Sequence, residues 1–306
     1  MKTYRDIAGD AGSDVLGQVG AQQERLRARM AKIGLKVAVV SGKGGVGKSV
    51  IVANLAAAFA KRGLKVGALD ADINGPSLAK MLGVRGRRLV FGPDGVRPPK
   101  GPLDIRVLSM DLFLSGDEAP VVWSGPTQGE AYFWRGAMEV AALREFLADT
   151  EWGELDLLLL DLPPGTDRIP NLLPLFPELD GVVIVTLPSQ VSQLIVAKSV
   201  TVVRKIVGAP VLGLVENLAA HRCARCGAEE ALFAGEDSAR MAERLDIPFL
   251  GRVPFDPLLS RCADEGVPLL LSFPDSPGAR ALSQIAAAVA GALHLPAVPV
   301  EAEEGR

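Results

Sequence analysis

Lys36-Val37-Ala38-Val39-Val40-Ser41-Gly42-Lys43-Gly44-Gly45-Val46-Gly47-Lys48-Ser49 is the stretch on which the fold turns. An apolar run predicts a short strand, the glycines a tight loop, and the pattern from Lys48 to Arg62 a helix directly behind it. That order is the context that confirms a P-loop. Glycines lack the Cβ that would block a close approach, so successive backbone N–H groups can curl around phosphate oxygens while the helix N-terminus adds its positive end. Gly42, Lys43, Gly44, Gly45, Val46, Gly47, Lys48 and Ser49 are therefore candidate polyphosphate-binding residues. Lys48 is expected to reach the terminal phosphates, and the Ser49 hydroxyl to hold Mg2+, which prefers oxygen ligands.

Working outward, short apolar runs recur at Leu35 to Val40, Val66 to Leu69, Ile105 to Met110, Leu157 to Leu160, Val182 to Leu187, Val211 to Val215 and Phe249 to Val253. Most lack polar alternation, as parallel strands buried on both faces require. Helices are expected at Lys48 to Arg62, Gln128 to Ala148 with Trp134, Met138 and Ala141 on one face, Ser192 to Ile206, Ser238 to Leu245 and Pro277 to Ala292. Strand alternating with helix predicts one doubly wound α/β domain over 35–294, a mostly parallel sheet flanked by helices. Residues 1–34 form a polar arm in which Gln18 to Lys32 is either an amphipathic helix packed on the edge or a frayed segment. Gly83 to Pro102 has the composition of a solvated loop or hairpin, and 295–306 form an acidic tail.

The chain has 306 residues, with 33 Lys plus Arg against 36 Asp plus Glu and a net charge of -3. No basic excess offers a nucleic-acid backbone general attraction, so none is expected as a partner. The composition, 48% hydrophobic and 23% charged, is that of a globular protein rather than a disordered one. The first ten residues carry no secretory pattern, which points to the cytoplasm. Ala281 to Val300 holds no Asp, Glu, Lys or Arg, but Gly291, Pro296 and Pro299 interrupt it, so it reads as a core helix and a tail rather than a membrane span.

A magnesium site needs a carboxylate at the tip of a neighbouring strand, and Asp161 closes the run Leu157 to Leu160. Pro163-Pro164-Gly165 behind it gives a stiff turn with one joint, suited to sensing a terminal phosphate. Asp70 and Asp72 follow the second strand, where ligands of open α/β sheets bind; one is expected to assist the metal and the other to orient water. An Asp at a strand end also commonly caps a helix.

Three cysteines do not make a disulfide framework, and Cys223 and Cys226, two residues apart, point to metal or redox work. The pair alone is shared among zinc knuckle, redox dithiol and cluster ligand, and His221 permits a three-ligand zinc site. Zinc and iron–sulfur centres commonly take four protein ligands, a count that two chains related by a twofold axis would supply. Cys262 reads as a buried structural thiol.

Lys43 is not required by the general P-loop pattern. With Gly44 to Ser49 it resembles the deviant Walker A of the dimeric ATPases that include the nitrogenase iron protein, septum-site and partition ATPases and the Mrp (ApbC-type) iron–sulfur carriers. Asp70-Ala71-Asp72-Ile73-Asn74-Gly75-Pro76-Ser77, Asp161-Leu162-Pro163-Pro164-Gly165-Thr166, Glu216-Asn217, Cys223-Ala224-Arg225-Cys226-Gly227 and Pro254-Phe255-Asp256-Pro257 are similar to the Mrp branch in order and spacing, over residues 35 to about 280. The resemblance implies a P-loop NTPase fold and an ATP-hydrolysing homodimer in which Lys43 crosses to the partner's nucleotide. It also implies Asp72 as the switch I residue positioning water, Asp161 as the Walker B carboxylate, Asn217 as the adenine-recognising amide and Pro254 near the base. Cys223 and Cys226 of two chains would bridge a [4Fe–4S] cluster destined for apo iron–sulfur client proteins, with scaffold proteins as further partners. Two other readings remain: a positioning ATPase, against which stands a C-terminus without Lys or Arg over 281–293, and a metal-insertion chaperone. The chain departs from the family pattern at Asn74, where Tyr is usual, and at Asp167-Arg168, where Gly-Asp is usual.

Overall fold

The apolar run around Val37 becomes the central strand of the sheet because its side chains are wanted on both faces. In the computed structural model, which describes residues 15–114, 128–222, 225–235 and 237–295, Val37 and Val39 enter one hydrophobic core while Ala38 and Val40 enter the other. Leu157 and Leu159 alternate with Leu158 and Leu160 in the same way. Period-two alternation between two apolar layers is the reason these runs carry no polar residues.

The strands are β1 (Ile33–Ser41), β2 (Val66–Asp70), β3 (Val90–Gly92), β4 (Gly95–Arg97), β5 (Arg106–Leu108), β6 (Leu155–Asp161), β7 (Gly181–Thr186), β8 (Val211–Arg222), β9 (Glu229–Ala231) and β10 (Phe249–Phe255). The main sheet runs β10-β8-β7-β1-β6-β2-β5, with every neighbouring pair parallel; β9 adds antiparallel to β8, and β3 pairs with β4 in a separate hairpin. The expected doubly wound α/β fold is therefore present, with β1 between β6 and β7. The Gly83 to Pro102 excursion is the hairpin.

One core layer lies under the Lys48–Lys61 and Pro277–Ala292 helices, the other under the Val15–Met30, Gln128–Asp149 and Ser238–Arg244 helices. Leu26 and Met30 are buried, which decides between the two readings of the arm in favour of a packed helix. Residues 1–14 and 296–306, hence most of the tail, lie outside the described residues. Among the described residues no helix is long and apolar enough to cross a membrane. Caps fix the helix starts: the Ser276 side chain accepts from the Ala279 amide ahead of Pro277, and Asp256 accepts from the Leu258 amide ahead of Pro257.

Three expectations need correction. Ala141 is exposed and Met138 half-buried, so the inward face of the Gln128–Asp149 helix instead runs through Glu139, Leu143 and Leu147; the side chain of Trp134 lies outside the described residues. The α-helix expected to run to Ile206 ends at Thr201 and widens into π-helical turns over Val202–Val207, stopped by Gly208. Strand β8 does not end at Val215 but reaches Arg222, because backbone pairing to β9 and β10 carries it past the polar Asn217 and His221. It is irregular on the way: Leu218 has φ of 54°, and the five residues of β8 from Asn217 to His221 lie against the three of β10 from Val253 to Phe255.

Leu158 is fully buried on β6, between β1 and β2. Leu158→Ala is expected to cost about 2–5 kcal/mol in a urea unfolding curve, through lost burial and the cavity left behind. A loss under about 1 kcal/mol would mean the second layer is not packed as described.

Candidate functional site

The P-loop begins where β1 ends. Ser41 Oγ donates to the Lys43 carbonyl at 3.0 Å, turning the chain, and Val46 is buried as the loop's anchor. Gly47 has φ of 81°, and a Cβ there would run into the Asn217 carboxamide, so glycine is required twice over. Asn217 Nδ2 donates to the Val46 carbonyl at 2.8 Å, pinning the loop from β8. A Cβ on Gly42 would strike Ile195 of the Gln190–Thr201 helix. The Lys48–Lys61 helix starts directly after Gly47, so its first N–H groups face the loop, with Ser49 half-buried in its first turn. Lys43 is half-buried, and its ammonium makes no ion pair among the described residues.

Parallel register brings the carboxylates to one level, since Asp161 pairs with Val39 on one side and Asp70 on the other. Lys48 Nζ forms an ion pair with Asp161 Oδ1, with side-chain exposures of 7% and 0%. Asp161 Oδ2 is buried without a partner among the described residues. Asp70 is occupied differently: Oδ2 accepts from the Ser77 amide (2.9 Å), the Leu78 amide (3.0 Å) and Ser109 Oγ (3.1 Å), and Oδ1 from the Asp72 amide (3.1 Å). Burial first, then the neighbouring Asp161 charge, push its carboxyl up to about 7 against the pull of those amides and of Lys48. Asp72 is half-buried, its Oδ1 accepting from the Gly75 amide at 3.3 Å. Ser49, Asp70 and Asp161 are the expected magnesium ligands, and of the two carboxylates it is Asp161 that keeps an unspent oxygen. An orphaned, buried carboxylate oxygen fits a hard divalent cation.

The segment after β6 is laid on the P-loop: the Leu162 amide donates to Val39 O (3.2 Å) and the Gly165 amide to Ser41 O (3.1 Å). Beyond it, Arg168 Nη1 donates to Glu139 Oε2 at 2.7 Å, and Asn74 Nδ2 to Glu139 Oε1 at 2.6 Å. Sequence reading missed Glu139. Its available signal was a carboxylate four residues before Leu143 on the inward stripe of a helix. On the far side of the loop, Glu216 pairs with Arg252 at 3.1 Å, and the neighbouring Asn217 keeps its Oδ1 buried and unpartnered among the described residues. Pro254 follows Val253, the register partner of Asn217, so both expected base-side residues sit on adjoining strands.

Cys226 is exposed between β8 and β9, whereas Cys223 lies outside the described residues. His221 packs edge-on to Phe255 at 5.8 Å between ring centroids, with its Nδ1 buried and unpartnered among the described residues. Cys262 is buried in the Pro257–Glu265 helix and burial pushes its thiol up, as an inert structural thiol requires. Among the described residues no three His, Cys, Asp or Glu side chains group to hold a metal.

A family profile described as NUBPL iron-transfer P-loop NTPase, within ParA, matches residues 32–132 and 127–290. A protein of Saccharolobus solfataricus named iron-sulfur cluster carrier protein is 43% identical over 270 residues, 88% of this chain and 87% of that one. A protein of the same name from Methanocaldococcus jannaschii is 40% identical over 253 residues, 82% of this chain and 83% of that one. Among solved structures, a nucleotide-binding protein of Archaeoglobus fulgidus in complex with ADP is similar with TM-score 0.67 and 34% identity, covering 80% of this chain and 91% of that one. The septum site-determining protein MinD of Pyrococcus horikoshii, complexed with Mg-ADP, shares the fold at TM-score 0.55 and 22% identity, over 83% of this chain and 94% of that one.

The folded chain holds the Asp70 proton to about pH 7, whereas an unfolded chain releases it near 3.8. Between those limits the folded form binds more protons, so this group's contribution to stability falls as pH rises through the window. In EDTA buffer without nucleotide, the thermal midpoint is expected to decline from pH 5 to pH 8, and Asp70→Asn to flatten the decline. Equal slopes for the two proteins would show that Asp70 titrates normally.

Proposed function

The chain belongs to the NUBPL-type iron-transfer P-loop NTPases, and on that premise we propose that it is an ATP-hydrolysing iron–sulfur cluster carrier working as a homodimer in the cytoplasm. The observation that carries the reading is that β8 bears both Asn217, clamped to the P-loop, and, beyond Arg222, the turn that exposes Cys226.

Backbone N–H groups from Gly44 to Ser49 would bind the polyphosphate, and Lys48 would exchange one Asp161 oxygen for the terminal phosphates. The unspent Asn217 Oδ1 is an acceptor suited to the adenine amino group, with Pro254 against the base. Ser49 and Asp161 would hold Mg2+, which when bound neutralises charge on the β- and γ-phosphates. Asp72, at the half-buried rim, would orient the attacking water. Lys43, which makes no ion pair among the described residues, would serve the partner's nucleotide, so that hydrolysis would require two chains.

The cluster is cargo. One chain brings Cys223 and Cys226, half of what a four-thiolate centre needs, so a [4Fe–4S] cluster would sit on the twofold axis and pass to apo client proteins or be loaded by scaffold proteins. The names of the relatives support the carrier role; the dimer and the transfer rest on ligand count and on Lys43.

Two measurements test this. After anoxic reconstitution with iron and sulfide, native mass spectrometry is expected to give a dimer with one four-iron cluster, and Cys223→Ala or Cys226→Ala to abolish its visible absorption. A fully loaded single protomer would sink the half-site arrangement. Lys43→Ala is expected to retain ATP binding while slowing hydrolysis about 10²-fold, the usual cost of removing one donor to developing charge; unchanged turnover would remove its role across the interface.

A further inference from the structure

Glu139 is a buried carboxylate that neither phosphate binding nor cluster binding uses. It projects from the inward face of the Gln128–Asp149 helix, level with Leu143 and Leu147, which are locked in the second core. Its two oxygens go to two different loops: Oε1 to Asn74, two residues past Asp72, and Oε2 to Arg168, three residues past Gly165. Those loops leave β2 and β6, whose ends are in register at Asp70 and Asp161. They carry, respectively, the water-orienting candidate and the segment hydrogen-bonded to Ser41. One carboxylate thus ties both loops to a third, fixed element. Asn74 and Arg168 are also positions at which the chain departs from the family pattern, and the structure joins them through one side chain.

We propose that Glu139 is a positioning residue that couples the Asp72–Asn74 loop to the Pro163–Arg168 loop, so that the two take up one arrangement around the nucleotide together. This rests on the ATPase reading of the P-loop. The chemistry is specific: a bidentate acceptor held by packing receives a charge-assisted bond from a guanidinium of one loop and a second bond from an amide of the other. Arg168 is one-third exposed, and a cavity of about 290 Å3 lined by Gly136, Glu139, Asp167, Arg168 and Asn171 lies alongside. The arm therefore has room to move without disturbing the core. Releasing either donor takes a hydrogen bond from a carboxylate that is only 11% exposed, which disfavours movement of one loop without the other.

Hydrogen exchange and steady-state kinetics on the full chain decide it. Arg168→Ala is expected to speed amide exchange at least threefold in residues 72–78, which it does not touch, and Asn74→Ala to do the same in 163–172. In a Glu139→Gln background neither substitution should add a further effect on the other loop. Glu139→Gln should lower kcat for ATP about tenfold, as misplacement of a reacting group does, with KM changed less than twofold. Exchanging the pair as Glu139→Arg with Arg168→Glu should recover more than half of that loss. A wild-type chain without ATPase activity would overturn the function, while exchange would still judge the bridge. Active protein in which Glu139→Gln lowers only the melting temperature, with loops that respond independently, would overturn the coupling alone.

Discussion

The site depends on a charge pair kept from water. Lys48 and Asp161 are both buried, and desolvating each ion costs several kcal/mol, a penalty offset only when their geometry is held closely. The fold supplies that constraint from two directions. The ladder between β1 and β6 sets the height of Asp161, and the helix starting at once behind Gly47 sets the height of Lys48. A second carboxylate, Asp70, is brought to the same level on β2, so two potential anions face one cation in a region of low dielectric. Burial, and after it the Asp161 charge, account for the raised proton affinity of Asp70. The pocket is accordingly divided: amide dipoles of the loop favour phosphate on one side, and carboxylate oxygens favour a cation on the other.

Much of this was legible because it follows from local rules. Unbroken short apolar runs such as Leu157 to Leu160, between turn signals, suit strands covered on both faces, and the glycine loop between Val40 and Lys48 has one common use. Asp161 and Asp70 were placed correctly at strand tips. What was hidden depends on partners distant in sequence. Nothing near Glu139 announces that Asn74 and Arg168 will converge on it, and Asn217 gives no local sign that its amide grips the Val46 carbonyl 171 residues away. The extension of β8 was missed for a related reason: backbone pairing does not read side chains, so Asn217 and His221 interrupt a hydropathy pattern without interrupting a strand. The inward stripe of the Gln128–Asp149 helix was misplaced because the Trp134, Met138 and Ala141 spacing looked apolar, while the tertiary contacts chose Leu143 and Leu147.

The protomer closes as a fold by itself. Its two cores close on themselves, and the P-loop is braced by β8, by the Gln190–Thr201 helix and by the segment after β6. Lys43 and Cys226 stand apart from that bracing: Lys43 makes no ion pair among the described residues, and Cys226 is exposed.

The irregularity at Leu218 bears on how firmly the end of β8 is held. Left-handed backbone at a leucine is mildly strained, and the extra residues it accommodates bend β8 away from the line of its neighbours. Beyond that bend the strand is braced by β9, all three of whose residues are exposed. Beyond His221, which packs on Phe255, the ribbon is secured by main-chain bonds at the solvent, the low-stability end of a fold. The far end of β8 is thus held more loosely than the part of the strand that carries Asn217 against the P-loop.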